Sequence, residues 1–95
     1  MYARVARWEG ADGDALRSLA EAIDVDAGPP PGVPAKGLMM LIDPDNGRSI
    51  AVVLFETQDD LRQGDAALSA MNPDTPGTGT RTAVEHYEVA IDVRQ

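Results

Sequence analysis

The sequence predicts one α+β domain of order β-α-β-β-α-β. Three observations carry this: two segments with apolar residues at helical spacing, an Asn46-Gly47 pair between two apolar runs, and alternating strand-forming residues near both ends of the chain. At 95 residues there is enough chain for one core and too little for two.

Residues 2–8, Tyr-Ala-Arg-Val-Ala-Arg-Trp, mix β-formers and stop at Glu9-Gly10, which predicts a first strand. Asp12 then offers a helix cap. Leu16, Leu19, Ala20 and Ile23 fall on one helical face, with Asp14, Arg17, Ser18 and Glu21 opposite, so a helix should run to about Asp24. From Asp26 to Lys36, four prolines deny both helix and ladder hydrogen bonding and predict a stiff connecting loop.

Gly37–Asp43 and Ser49–Glu56 are apolar runs joined by Pro44-Asp45-Asn46-Gly47, in which Asn-Gly tolerates positive φ and closes a hairpin. Thr57, followed three residues later by Asp60, marks the N-terminus of a second helix. Its expected buried stripe is Leu61, Gly64, Leu68 and Met71, with Gln58, Asp59, Arg62, Gln63, Asp65 and Ser69 facing water. Gly64 on that stripe implies a close approach to the sheet, and Asn72-Pro73 should stop the helix. After a Pro, Gly and Thr loop over 72–80, residues 82–93 set Tyr87, Val89, Ile91 and Val93 against His86, Glu88, Ala90 and Asp92, which predicts the last strand.

This order is the split βαβ, or ferredoxin-like, arrangement: a four-stranded antiparallel sheet with right-handed crossovers placing both helices on one face. The other face is left without cover. The two hairpin runs are apolar at odd and even positions alike, Leu38 to Ile42 and Ile50 to Phe55, so both of their faces call for burial. Four strands about 4.8 Å apart and roughly 20 Å long expose about 400 Å², near the largest apolar patch a monomer carries. A second copy packed face to face is the economical cover, so a homodimer is expected.

Sixteen acidic against eight basic residues give a net charge of −8, which repels phosphate backbones and anionic lipid surfaces and argues against nucleic-acid or membrane partners. The absence of cysteine removes disulfides, thiolate nucleophiles and Cys-ligated metals, and fits a cytoplasmic setting. The chain opens on strand-like residues without a secretion signal, and no run approaches the ~18 apolar residues of a membrane span. A soluble protein is expected.

The polar residues of the end strands are the candidate site. With the last strand beside the first, Arg4 and Trp8 would share a face with His86 and Glu88, pointing away from the helices if Ala3 and Val5 face them. An arginine, a histidine and a carboxylate in an apolar chamber walled by Trp8, Tyr2 and Phe55 would fix an acidic or phenolic ligand. The plainer alternative is an Arg4–Glu88 cross-strand ion pair with His86 as an ordinary sheet residue. Ser18, Ser49 and Ser69 lie far in sequence from His86, which argues against a hydrolytic triad. Glu85 and His86, as strand neighbours, point to opposite faces, so no metal site is expected. Gly77-Thr78-Gly79-Thr80 lacks the lysine and following helix of a phosphate cradle and reads as a loop. Met39 and Met40 read as core.

The layout resembles the dimeric α+β barrel superfamily, which includes antibiotic-biosynthesis monooxygenase-like and stress-responsive barrel-like proteins. The likeness rests on the opening Tyr-Ala-Arg-Val-Ala-Arg-Trp strand, on Leu-Phe-Glu-Thr leading into the second helix and on the closing Val-Glu-His-Tyr-Glu-Val strand, and it covers nearly the whole chain. It implies a homodimer in which each sheet helps enclose a small organic ligand. Some members oxygenate aromatic compounds without metal or cofactor, so the resemblance implies either such an enzyme or a non-catalytic binding or regulatory dimer, with no cofactor in either case. It supplies no catalytic set that transfers residue by residue.

Overall fold

The computed structural model describes residues 1–22, 28, 31–70 and 79–93. Its elements run β1 (Tyr2–Glu9), α1 (Gly13–Ala22), β2 (Gly37–Asp43), β3 (Arg48–Phe55), α2 (Gln58–Ala70) and β4 (Thr80–Glu88), with a 3₁₀ turn, Pro44–Asn46, inside the hairpin. The sheet is antiparallel with order β2-β3-β1-β4, consistent with a ferredoxin-like fold. The expectations for Ile23, the helix end at Asp24, the first part of the proline segment, Met71, Asn72-Pro73 and Gly77-Thr78 lie outside the described residues.

Local signals act where the sequence placed them. The Asp12 carboxylate accepts the Asp14 amide at the start of α1, and the Thr57 hydroxyl accepts the Asp60 amide at the start of α2. Gly47 closes the hairpin at φ 64°, ψ 36°, a left-handed conformation that disfavours side chains. A Cβ at Gly64 would strike the Phe55 ring, so the glycine lets α2 descend onto β3. Phe55 is fully buried there, packed with Val33, Val53 and Leu61. The proline-rich connection is therefore more than a spacer, since its Val33 belongs to the core.

Register settles the two faces. Tyr2 pairs with Phe55 and Glu88, Arg4 with Val53 and His86, and Ala6 with Ala51 and Val84; directly paired residues share a face. Because Phe55 must enter the gap at Gly64, the even residues of β1 lie under α2 with it. Ala3, Val5 and Arg7 therefore occupy the helix-free face, with Tyr87, Glu85 and Ala83 beside them. This inverts the expected assignment, which turned Ala3 and Val5 toward the helices.

Three further expectations are corrected. The last strand ends at Glu88 rather than Val93, because the β1 ladder ends at Tyr2. The Val89 amide donates to the Met1 carbonyl at 2.9 Å, and the following residues leave the sheet, with Ile91 82% exposed. Asp65 turns toward the sheet, where it takes the Arg4 hydrogen bond, while Ser69 stays exposed as expected and still lies 3.4 Å from Arg4 Nη2. Met39 lies open on the helix-free face at 56% exposure rather than in the core.

Candidate functional site

Under α2, Arg4 is only 3% exposed and donates from Nε to Asp65 Oδ1 at 2.8 Å. Its Nη2 also reaches Ser69 Oγ at 3.4 Å. His86, paired with Arg4 across the β1–β4 ladder, brings Nε2 to within 3.2 Å of the same Asp65 oxygen. Spacing explains the meeting: Asp65 follows Leu61 by four residues and precedes Ser69 by four, so all three lie on the helix face that packs on the sheet. Partial burial pushes the Asp65 carboxyl up, but Arg4 and His86 together outweigh it and hold the group below the usual carboxylate range.

The expected companions of Arg4 and His86 go elsewhere. Trp8 does share their face, but it sits past a register shift at Arg7/Trp8, opposite Ser49 and Arg81 at the far end of the sheet. Phe55 is a fully buried core residue and lines no chamber. Glu88 pairs with Tyr2 rather than forming an ion pair with Arg4, whose partner is Asp65. The set Arg4, Trp8, Phe55, His86 and Glu88 is thus on one face, as expected, but it is the helix-covered face. An open cavity of about 310 Å³ lies at its edge between α2 and β4, bordered by Tyr2, Leu61, Arg62, His86 and Glu88.

The helix-free face carries a different polar group. Arg7 donates from Nε to Glu85 Oε1 at 2.6 Å, and the Tyr87 hydroxyl donates to Glu85 Oε2 at 2.8 Å. The hydrogen bond from Arg7, and then that from Tyr87, hold the Glu85 carboxyl low; the carboxylate in turn raises the Tyr87 phenol and the Arg7 guanidinium. Beside this group the face is apolar, with Val5, Val52 and Met39 in the row of Glu85 and Ile50 and Leu41 in the row of Arg7. Two open cavities border it. One, of about 390 Å³, is walled by Arg7, Trp8, Leu41, Arg48 and Ile50; the other, of about 520 Å³, lies among Met39, Val52, Leu54 and the departing residues Val89 and Ile91.

Sequence reasoning missed both Asp65 and the Arg7–Glu85–Tyr87 group, although parity could have found the second. Arg4 and Arg7 are an odd number apart, as are Glu85 and His86, so a cluster on one face implies its counterpart on the other. Among the described residues no three His, Asp or Glu side chains gather as a metal site would need, and no helix is long and apolar enough to cross a membrane. Compared with models of known protein families, with curated proteins and with solved structures, the chain gives no match.

Proposed function

We propose that the protein works as a homodimer whose helix-free sheet faces enclose a chamber for a small aromatic or acidic organic compound. The observation that carries this reading is the Arg7–Glu85–Tyr87 group standing on an otherwise apolar, uncovered face, where Met39 and Leu41 are 56% and 47% exposed. An apolar sheet face of this kind gains from removal from water, and a second copy supplies a matching surface. Without cover, Arg7 would be an unremarkable surface ion pair; inside a chamber it becomes a selective one.

The polarity of the group defines what it accepts. Tyr87 gives its hydroxyl proton to Glu85, so its oxygen is left to accept a hydrogen bond. Arg7 is held through Nε, and its terminal nitrogens suit a carboxylate, phenolate or carbonyl oxygen. A planar compound carrying an acidic oxygen beside a hydroxyl satisfies both, while Leu41, Ile50 and Val52 meet its ring. This reading keeps the protein within the architecture of dimeric α+β barrels and asks for binding, not for a particular reaction.

Native mass spectrometry of protein purified gently from its own host tests it. The expected spectrum is a dimer carrying an organic mass that Arg7→Ala dimers lose. A dimer whose bound mass is indifferent to Arg7→Ala, or a chain that stays monomeric at micromolar concentration, would contradict the proposal.

A further inference from the structure

The Arg4–Asp65–His86 cluster lies on the opposite side of the sheet from that chamber and has no part in it. We propose that Asp65 and His86 form a proton-accepting pair serving the cavity between α2 and β4, where they take a proton from a bound compound with an acidic C–H or O–H bond. The inference is independent of the chamber and of the dimer.

Charge complementarity is the first step. An ionised carboxylate offers only lone pairs, so of the two ring nitrogens of His86 the one 3.2 Å from Asp65 Oδ1 is the one favoured to carry a proton. In the neutral ring that proton is on Nε2, and the lone pair is therefore on Nδ1. Asp65 is kept ionised by buried Arg4, and Ser69 Oγ, 3.4 Å from the same oxygen, adds a further donor. The carboxylate thus sets the tautomer and orientation of the only histidine in the chain, as second-group partners of catalytic imidazoles do.

The second step is access. His86 is half-exposed and borders the cavity of about 310 Å³, whose wall includes Leu61 and the ring of Tyr2, surfaces suited to a small planar molecule. Arg62 borders the same space and supplies positive charge for the anion that deprotonation leaves, while Glu88, two residues along β4 from His86, supplies an acceptor. In the reaction the C–H or O–H bond breaks and its electron pair stays on the compound as an enolate or oxyanion. The proton forms the Nδ1–H bond, and the imidazolium faces the Asp65 carboxylate. Asp65 acts here as a positioning residue, because it touches the ring and not the compound.

Two measurements test the pair. Nitrogen NMR of the ring in the wild-type protein should show the neutral His86 protonated on Nε2; protonation on Nδ1 would overturn the proposal whatever the variants do. As a probe of the base, 5-nitrobenzisoxazole opens to a coloured phenolate when a base removes its C–H proton. The protein should open it about 10²-fold faster than an equal concentration of free imidazole. His86→Gln, at an exposed position, should return the rate to background, and Asp65→Asn should lower it about tenfold while shifting the ring-nitrogen signals. Arg17→Ala on the solvent side of α1 should leave it unchanged. A wild-type rate equal to that of imidazole, or one that survives His86→Gln, would refute the proposal.

Discussion

One sheet carries the same chemistry twice, and its two faces use it differently. Arg4 and Arg7 both give Nε to a carboxylate, Asp65 in one case and Glu85 in the other, and each carboxylate meets one further strand residue, His86 or Tyr87. Arg4 is covered by α2; Arg7 stands half in water. A buried arginine that loses its partner is left with an uncompensated charge, so that pair holds the helix on the sheet. An exposed pair contributes little to stability and is free to be reorganised by a ligand. Burial, not residue type, separates the pair that holds the helix from the pair left open to water.

The largest expected break in this comparison is in the apolar residues around the pairs. Phe55→Ala, on the covered face, should cost about 3–5 kcal/mol of stability, whereas Leu41→Ala in the isolated monomer should cost less than about 1 kcal/mol; chemical denaturation measures both. A larger Leu41 effect that grows with protein concentration would mean that a second copy covers it.

The arginines come next. Arg4→Ala should destabilise by about 2–3 kcal/mol, below the full penalty of a buried pair because Asp65 still reaches water, and Arg7→Ala by less than about 1 kcal/mol. Equal losses would erase the distinction between the faces. Gly64→Ala tests the close approach that sets the register: the clash with Phe55 should cost about 1–3 kcal/mol, partly offset by about 1 kcal/mol of helix propensity.

Acid separates the carboxylates more gently. The Asp65 carboxyl is lower in the folded chain than in the unfolded one, so its stabilisation is fully present above about pH 4 and is lost as pH falls through the folded value. Asp65→Asn should flatten the acid limb of the stability curve below about pH 4, and it should do so more than Glu85→Gln, whose side chain is exposed. The smallest effect is spectroscopic. Glu85→Gln replaces the carboxylate that holds the Tyr87 proton with a neutral, weaker acceptor, so the phenol should ionise at lower pH, read by its ultraviolet absorbance.

The order of elements, the hairpin, both helix starts and the role of Gly64 were legible in the sequence because each is written locally, in Asn46-Gly47, Asp12, Thr57 with Asp60, and a glycine on an apolar stripe. The site was legible only in its membership of strands. Which face of β1 the helices cover is decided by the fit of Phe55 into Gly64 and by register, both non-local, and alternation reads equally well either way up. Asp65 looked solvated because a charge on a helix usually is; its buried partner was sixty-one residues away. The final alternating stretch read as strand because periodicity cannot see that its neighbour ends.

Sedimentation velocity of the wild-type chain and of Leu41→Glu at micromolar concentration tests the central claim, that the uncovered face is closed by a second copy. The wild type should sediment at twice the 10.1 kDa of one chain, and Leu41→Glu as a folded monomer. A wild-type monomer, or a dimer that Leu41→Glu leaves intact, would contradict it.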